Sequence, residues 1–364
     1  MPETSIVFAA YREPGTIFEN IEKIARESGE VEFIISADEW KETDIKRARA
    51  LAKRYPLTLL HHEKRIGKVN GLNEAIAHSK GKIIVFLDND VEIRGALIPG
   101  VRKAMQRGDF GQGIIHARGN GIIAGGVKMD YLGINATIAV EEMTGIGFGV
   151  NGACTIAKRE VVEKIGGFRH VITEDSDFGT RANAAGFRPV LARDVHVITG
   201  APENYVKWFR QRARWGVGAI QMGLLNRKYH QKFAVETIVQ SLTAVPFILP
   251  FLIQMIAPGP IWAKIIYWIA AAFGAINPVA PLTAAALYAF LELTNPFVAL
   301  ANLLLLGIWT WYWKNDLKFT DITAKDVIIC GTIYGPLWLA VLIGAAVYVL
   351  LKGPNLKEFM GWKA

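Results

Sequence analysis

The sequence predicts an α/β domain built on a parallel sheet, followed by an all-α domain with the composition of a membrane. Two observations carry this. Up to Asp90, short apolar runs alternate with helix-spaced segments, the pattern of βαβ units. Beyond Phe233 charge nearly vanishes: across 233–313 only Glu236, Lys264 and Glu292 are charged, and 327–351 carries none. A chain of 364 residues has room for both parts.

The elements follow in order. SIVFAA (5–10) is a short apolar strand, and 16–28 has helical spacing with Ile17, Ile21 and Ile24 on one face. VEFIISA (31–37) is the second strand and 41–54 a charged amphipathic helix. PLTLLHH (56–62) is the third strand and 69–78 the next helix. KIIVFLDND (82–90) is the fourth strand, its apolar run ending abruptly in acid. Residues 108–149 are glycine-rich and weakly patterned, compatible with strands, loops or a flexible acceptor-side segment. Pattern returns with a strand at 153–157, a helix at 159–165 closed by Gly166-Gly167, and a helix at 175–185 ended by Gly186.

In the apolar half, helices are expected at 236–257, 261–277, 282–312 and 327–351, each near the roughly 20 residues that cross a bilayer. The domain plan is therefore 1–203 for the α/β domain, 204–232 for a basic interfacial segment, 233–352 for the membrane helices and 353–364 for a tail. The N-terminus opens directly into a strand pattern, so no cleavable leader is expected and the first membrane helix should come from the C-terminal half. Lys207, Arg210, Arg212, Arg214, Arg227, Lys228 and Lys232 occur with no acid among them, just before the first apolar stretch. That placement puts the block, and the α/β domain with it, on the cytoplasmic face. The net charge of +8 is thus assigned to lipid headgroups and substrate phosphates rather than to nucleic acid. Cys154 and Cys330 are too few for a disulfide framework and read as buried thiols.

Ligands of a parallel sheet gather at the carboxyl ends of its strands. Asp88-Asn89-Asp90 stands at such an end, and two carboxylates there suit a hard divalent cation shared with phosphate oxygens. An acidic turn is the plainer reading. Thr173-Glu174-Asp175 precedes a helix; it is either an N-cap with acids in the first turn or the seat of a general base. Gln211-Arg212-Ala213-Arg214-Trp215 lies in the basic block. Either it snorkels towards headgroups, or Arg212 or Arg214 grips a diphosphate while Trp215 offers a face to a sugar. Tyr11, Glu13, Asp38, Glu39, Gly67 and Lys68 follow strands and are loop residues or ligand contacts. His61, His62 and His196 lack metal-site spacing, and no P-loop, dinucleotide fingerprint or zinc motif occurs.

The order VFAAYREP, a strand ending at Asp38, RIGKVNGLNEAI, VFLDND, NGACTIAKREVVEKIGGF, TEDSD and QRARW resembles the family 2 glycosyltransferases, over residues 4–220. QRARW followed by apolar helices resembles the branch of cellulose, chitin and hyaluronan synthases. The resemblance implies a Rossmann-like GT-A fold for the first domain. It implies that Tyr11, Glu13 and Asp38 line a nucleotide pocket with Lys68 nearby. Asp88 and Asp90 match the DxD motif, Asp90 as the direct metal ligand and Asp88 nearer the ribose and metal. Asp175 matches the base of the TED motif, supported by Glu174. Gln211, Arg212, Arg214 and Trp215 match QxxRW, beside the donor diphosphate and the acceptor. Ala37-Asp38-Glu39 departs from the paired aspartates of many relatives, and the chain shows no membrane helix before the catalytic motifs. Residues 319–325 resemble the gating loop of the polymer synthases with one residue added.

The expected activity is inverting transfer from a nucleoside-diphosphate sugar, a UDP-sugar, with Mg²⁺ or Mn²⁺. The acceptor is a growing polysaccharide or a lipid such as a polyprenyl phosphate. A non-catalytic transporter or scaffold is the alternative of another class.

Overall fold

A computed structural model describes residues 2–27, 30–147, 149–226, 229, 296–353, 355–356, 358–360 and 362–363. The first half runs β1 (Thr4–Tyr11), α1 (Ile17–Ile24), β2 (Val31–Asp38), α2 (Glu42–Ala52), β3 (Leu57–His62), α3 (Lys68–His78) and β4 (Ile83–Leu87), each on its predicted apolar run. β1 pairs in parallel with β2 and β4, and β2 with β3. Strands buried on both faces read as continuous apolar runs, and Ile6, Val7 and Phe8 are wholly buried. The register sets Tyr11 beside Asp38 and Asp38 beside His62, so these strands finish level.

Next come β5 (Glu92–Arg94), α4 (Ile98–Met105), β6 (Phe110–Arg118), α5 (Gly121–Thr144), β7 (Cys154–Lys158), α6 (Arg159–Ile165), α7 (Glu174–Ala184) and β8 (Pro189–Gly200). The eight strands form one sheet in the order β3-β2-β1-β4-β7-β6-β8-β5. The four strands of the βαβ half are parallel, as expected, and the later strands add antiparallel pairs: β7 to β4 and to β6, and β5 to β8. The weakly patterned stretch 108–149 holds a strand, β6, which is among its readings, and the 24-residue helix α5, which is not. Between sheet and helices, Phe86 meets Phe168 edge-on at 5.0 Å and Phe168 stacks on Phe178 at 4.8 Å. This apolar cluster joins β4 to α3, α6 and α7. Both cysteines are free and buried, as expected.

The chain divides into two units: 1–115 with 141–200 and 356–364, and 116–140 with 201–355. The second therefore takes up 116–140, which the sequence plan had left in the first domain. Besides part of α5 it contains α8 (Tyr205–Leu225), α9 (Pro296–Asp316), α10 (Ala324–Ile329) and α11 (Gly335–Lys352), the last two separated by a π turn, Cys330–Tyr334. α8 packs on α11 so closely that a Cβ at Gly216 would come within 3.0 Å of the Ala345 Cβ.

The membrane helices expected at 236–257 and 261–277, and the part of the third from 282 to 295, lie outside the described residues. Among the described residues no helix is long and apolar enough to cross a membrane. The 18 residues of α11 rise about 27 Å, short of a hydrocarbon core of roughly 30 Å. The apolar part of α9 stops at Lys314. The loop at 319–325 is pinned by its own chain. Phe319 is buried against the His116 ring at 4.3 Å, and Thr323 and Asp326 form a capping box that starts α10.

Candidate functional site

β4, a central strand, delivers Asp88-Asn89-Asp90 to its carboxyl end, and the start of α1 turns this tripeptide out of the strand. The Asn89 carbonyl accepts the Thr16 N–H at 2.7 Å and its hydroxyl at 3.2 Å, while the Asn89 amide donates to the Glu13 carbonyl at 2.9 Å. Gly15 makes this approach possible. Its φ is +55°, and a Cβ there would sit 2.0 Å from the Asn89 oxygen. Asp90 is an exposed residue, yet the protein around its carboxyl and the neighbouring charge of Asp88 both push its pKa up. A Thr199 hydroxyl, 3.2 Å away, opposes this.

Two crowded carboxylates at an exposed turn fit a hard divalent cation, which commonly takes one or two protein carboxylates and completes its shell with phosphate oxygens. Among the described residues no group of three or more His, Cys, Asp or Glu could hold such an ion unaided.

Lys68, the first residue of α3, reaches this loop. Its ammonium lies 2.7 Å from Asp88 Oδ1 and 3.0 Å from Glu174 Oε1. Burial alone would lower its pKa, but Asp88, Glu174 and Asp175 outweigh that and hold it charged. Asp38 fixes the approach: its Oδ2 accepts the backbone N–H of Ile66 at 3.1 Å and of Gly67 at 2.9 Å. His62 stands between Asp38, at 3.2 Å, and Glu74, at 2.9 Å, on the far side of that carboxyl. Asp38 thus serves the loop that carries Lys68.

Glu174 and Asp175 occupy the first turn of α7, where carboxylates face the positive end of the helix dipole. Thr173 stands at the N-cap position with the acids in the first turn, as the plainer reading has it, but its side chain makes no cap hydrogen bond. Glu174 is 3% exposed and committed to Lys68. Asp175 accepts the Gly152 N–H at 2.6 Å on one oxygen and the Ser176 N–H at 2.8 Å on the other. Burial and the adjacent Glu174 push its pKa up to about 6, against the pull of Lys68 and those two amides. Two residues on, the fully buried Asp177 binds Arg169 and Arg181, and Arg181 in turn donates to the carbonyls of Ile165 and Gly167 at 2.7 Å. This is the brace that seats α7. Lys68, Asp88, Gly152, Glu174 and Asp175 line one small cleft with Phe86.

A model of glycosyl transferase family group 2 matches residues 83–347, nearly three quarters of the chain. The chain belongs to that family. The transferase also shares its fold with a mannosyltransferase, PcManGT, from Pyrobaculum calidifontis, solved in complex with GDP-Man and Mn²⁺. The two are 18% identical, with a TM-score of 0.54 over 97% of this chain and 88% of the other.

The transferase places its remaining predicted residues in two settings. Tyr11 is exposed at the end of β1, with the guanidinium of Arg12 4.7 Å and that of Arg65 4.4 Å from its ring. Glu13 contributes its carbonyl to the Asn89 tie. Gln211, Arg212, Arg214 and Trp215 lie in the second unit, on α8. Arg212, expected at a diphosphate, has no exposed surface. It binds Asp130 at 2.7 Å, Tyr334 at 3.0 Å and Gln211 at 2.8 Å, and lies 4.0 Å from the centre of the Trp215 ring. In this structure its guanidinium faces these side chains and is shut off from solvent. Arg214 and Trp215 are half-buried, and Trp215 also meets Tyr131 edge-on at 6.3 Å. Gly152 and Thr199 were missed by sequence reasoning. Neither carries a motif signal of its own; Gly152 follows Asn151 in the NGACT run that resembled the family.

Proposed function

We propose that this family group 2 glycosyltransferase is an inverting, metal-dependent enzyme that moves a sugar from a nucleoside-diphosphate sugar to an acceptor hydroxyl. The observation that carries the reading is the Lys68 bridge, which joins Asp88 of one acidic motif to Glu174 of the other in a single cleft. Asp88 and Asp90 would hold Mg²⁺ or Mn²⁺ together with the donor diphosphate. When bound, the cation offsets negative charge on the leaving group.

Asp175 accepts the acceptor's proton. With its pKa at about 6 it is ionised at neutral pH yet still basic, the compromise a general base needs. The amides of Gly152 and Ser176 hold its two oxygens in place. As the acceptor oxygen bonds to the anomeric carbon, the bond from that carbon to the diphosphate oxygen breaks. The electron pair leaves with the nucleoside diphosphate, and the proton moves to Asp175. A single displacement inverts the anomeric centre.

The donor proposed is a UDP-sugar; GDP-mannose belongs in the same test because the Pyrobaculum protein binds it. The acceptor proposed is a growing polysaccharide at the cytoplasmic face of a membrane, with a lipid acceptor as the alternative. Support comes from the basic run before residue 233, the scarcity of charge across 233–313 and the sequence QRARW. Leu300, Leu304, Ile308 and Trp311, exposed along one side of α9, suit the same surroundings. Arg214 remains the arginine proposed for the diphosphate.

The test is nucleoside-diphosphate release by the purified full-length protein across UDP-sugars and GDP-mannose, with Mg²⁺ or Mn²⁺. Lipid extracts and oligosaccharides serve as acceptors. Metal-dependent turnover of one donor, lost in Asp90→Ala and Asp175→Asn, supports the assignment. Solute movement without donor consumption would turn the reading to a transporter.

A further inference from the structure

Asp88, Glu174 and Asp175 line the cleft together with Lys68, and Asp90 follows Asp88 by two residues. We infer that Lys68 is a resident counter-ion that competes with the divalent cation for Asp88 until a diphosphate arrives. The inference rests on the reading of Asp88 and Asp90 as the metal pair.

The geometry leaves little choice. Asp88 Oδ1 is engaged by the Lys68 ammonium at 2.7 Å. A divalent ion on the same carboxylate would meet a fixed positive charge a few ångströms off, and such repulsion is substantial where solvent access is partial. Lys68 cannot swing clear freely. It opens α3 directly after Gly67, whose amide and that of Ile66 are gripped by Asp38. It does have a second seat, since Glu174 lies 3.0 Å away and is itself buried. A diphosphate would reverse the balance, because its added negative charge accepts both cations. The same side chain therefore opposes metal alone and favours metal with nucleotide.

A side chain that served structure alone would weaken both kinds of binding when lost. A counter-ion predicts opposite signs. Mn²⁺ binding to the full-length protein is measured by electron paramagnetic resonance without nucleotide, and UDP and GDP binding is measured with Mn²⁺ saturating. Lys68→Gln and Lys68→Met, two neutral variants of similar length, are run beside Lys68→Arg. Both neutral variants are expected to bind nucleotide-free Mn²⁺ roughly tenfold more tightly and the nucleotide roughly tenfold more weakly, with Lys68→Arg near wild type. Unchanged or weaker Mn²⁺ binding in both neutral variants overturns the inference. Asp90→Ala separates it from its foundation: if that variant keeps wild-type Mn²⁺ binding, the metal pair itself is misassigned and the inference falls with it.

Discussion

Two cations singled out by the sequence motifs, Lys68 and Arg212, meet different fates in the two units. Lys68 keeps 21% of its side-chain surface and shares Asp88 and Glu174. Arg212 keeps none, and Asp130, Tyr334, Gln211 and Trp215 enclose it. Each forms ion pairs near 2.7 Å, so distance does not distinguish them. Access to water does. A partly solvated pair can be traded for another partner during a reaction, whereas an enclosed one is held by the cost of leaving its mate uncompensated. The Lys68 pair is of the first kind and the Arg212 pair of the second.

This contrast can be broken by substitution. The largest effect is expected in the first unit: Asp175→Asn should lower the transfer rate by about 10²–10⁴-fold, the contribution typical of a positioned acid or base, while donor affinity stays near wild type. Steady-state rates beside nucleotide binding decide it. If binding falls equally, Asp175 holds structure rather than a proton. Next comes Arg212→Met, which strands Asp130 in a sealed site and should cost about 3–5 kcal/mol of stability. A thermal melt of the whole protein reads this, and a melting point within a degree or two of wild type would place Arg212 with Lys68 after all.

Smaller effects sharpen the picture of the cleft. A Cβ at Gly152 would stand 3.1 Å from Asp175 Oδ2 and 3.3 Å from the Lys68 ammonium. Gly152→Ala is therefore expected to reduce kcat about tenfold with little change in melting temperature, since small displacements of reacting groups cost rate before stability. The subtlest is a pH shift. Asp175 must be ionised to accept a proton, so kcat/KM should rise with pH through about 6 and then level off. Lys68 holds that pKa down, so Lys68→Gln should move the rising limb to higher pH. A limb that stays in place would mean the two groups are not electrostatically joined.

The βαβ half was legible because its strands are buried on both faces and write themselves as unbroken apolar runs ending in acid, as at IIVFL before Asp88. α5 was illegible for the converse reason. Val127, Met129, Tyr131, Leu132 and Ala139 are buried around much of its circumference, and Asp130, Asn135 and Glu141 are buried with them. A helix enclosed in this way has no polar stripe to give a period, and Gly125 and Gly126 inside it read as loop. Gly126 is needed all the same: a Cβ there would lie 1.9 Å from the Tyr334 ring. The Asp88, Glu174 and Asp175 acids could be found in sequence because they follow a strand or open a helix. The bonds from Asp130 to Arg212 and from Thr199 to Asp90 could not, because they join residues far apart in the chain without a shared pattern.

Gly15 has a consequence for how this corner of the protein can drift in evolution. On its side of the tie Asn89 accepts twice through its carbonyl and donates once through its side-chain amide, so a change at 89 forfeits only the bond to Glu13. Gly15 has no such latitude, because even one methyl group would overlap that carbonyl oxygen. In a saturation library the least forgiving position would be one that brings no functional group to the reaction. Its variants would look like active-site lesions in every assay, although the damage lies in the hinge between the first helix and the acidic turn.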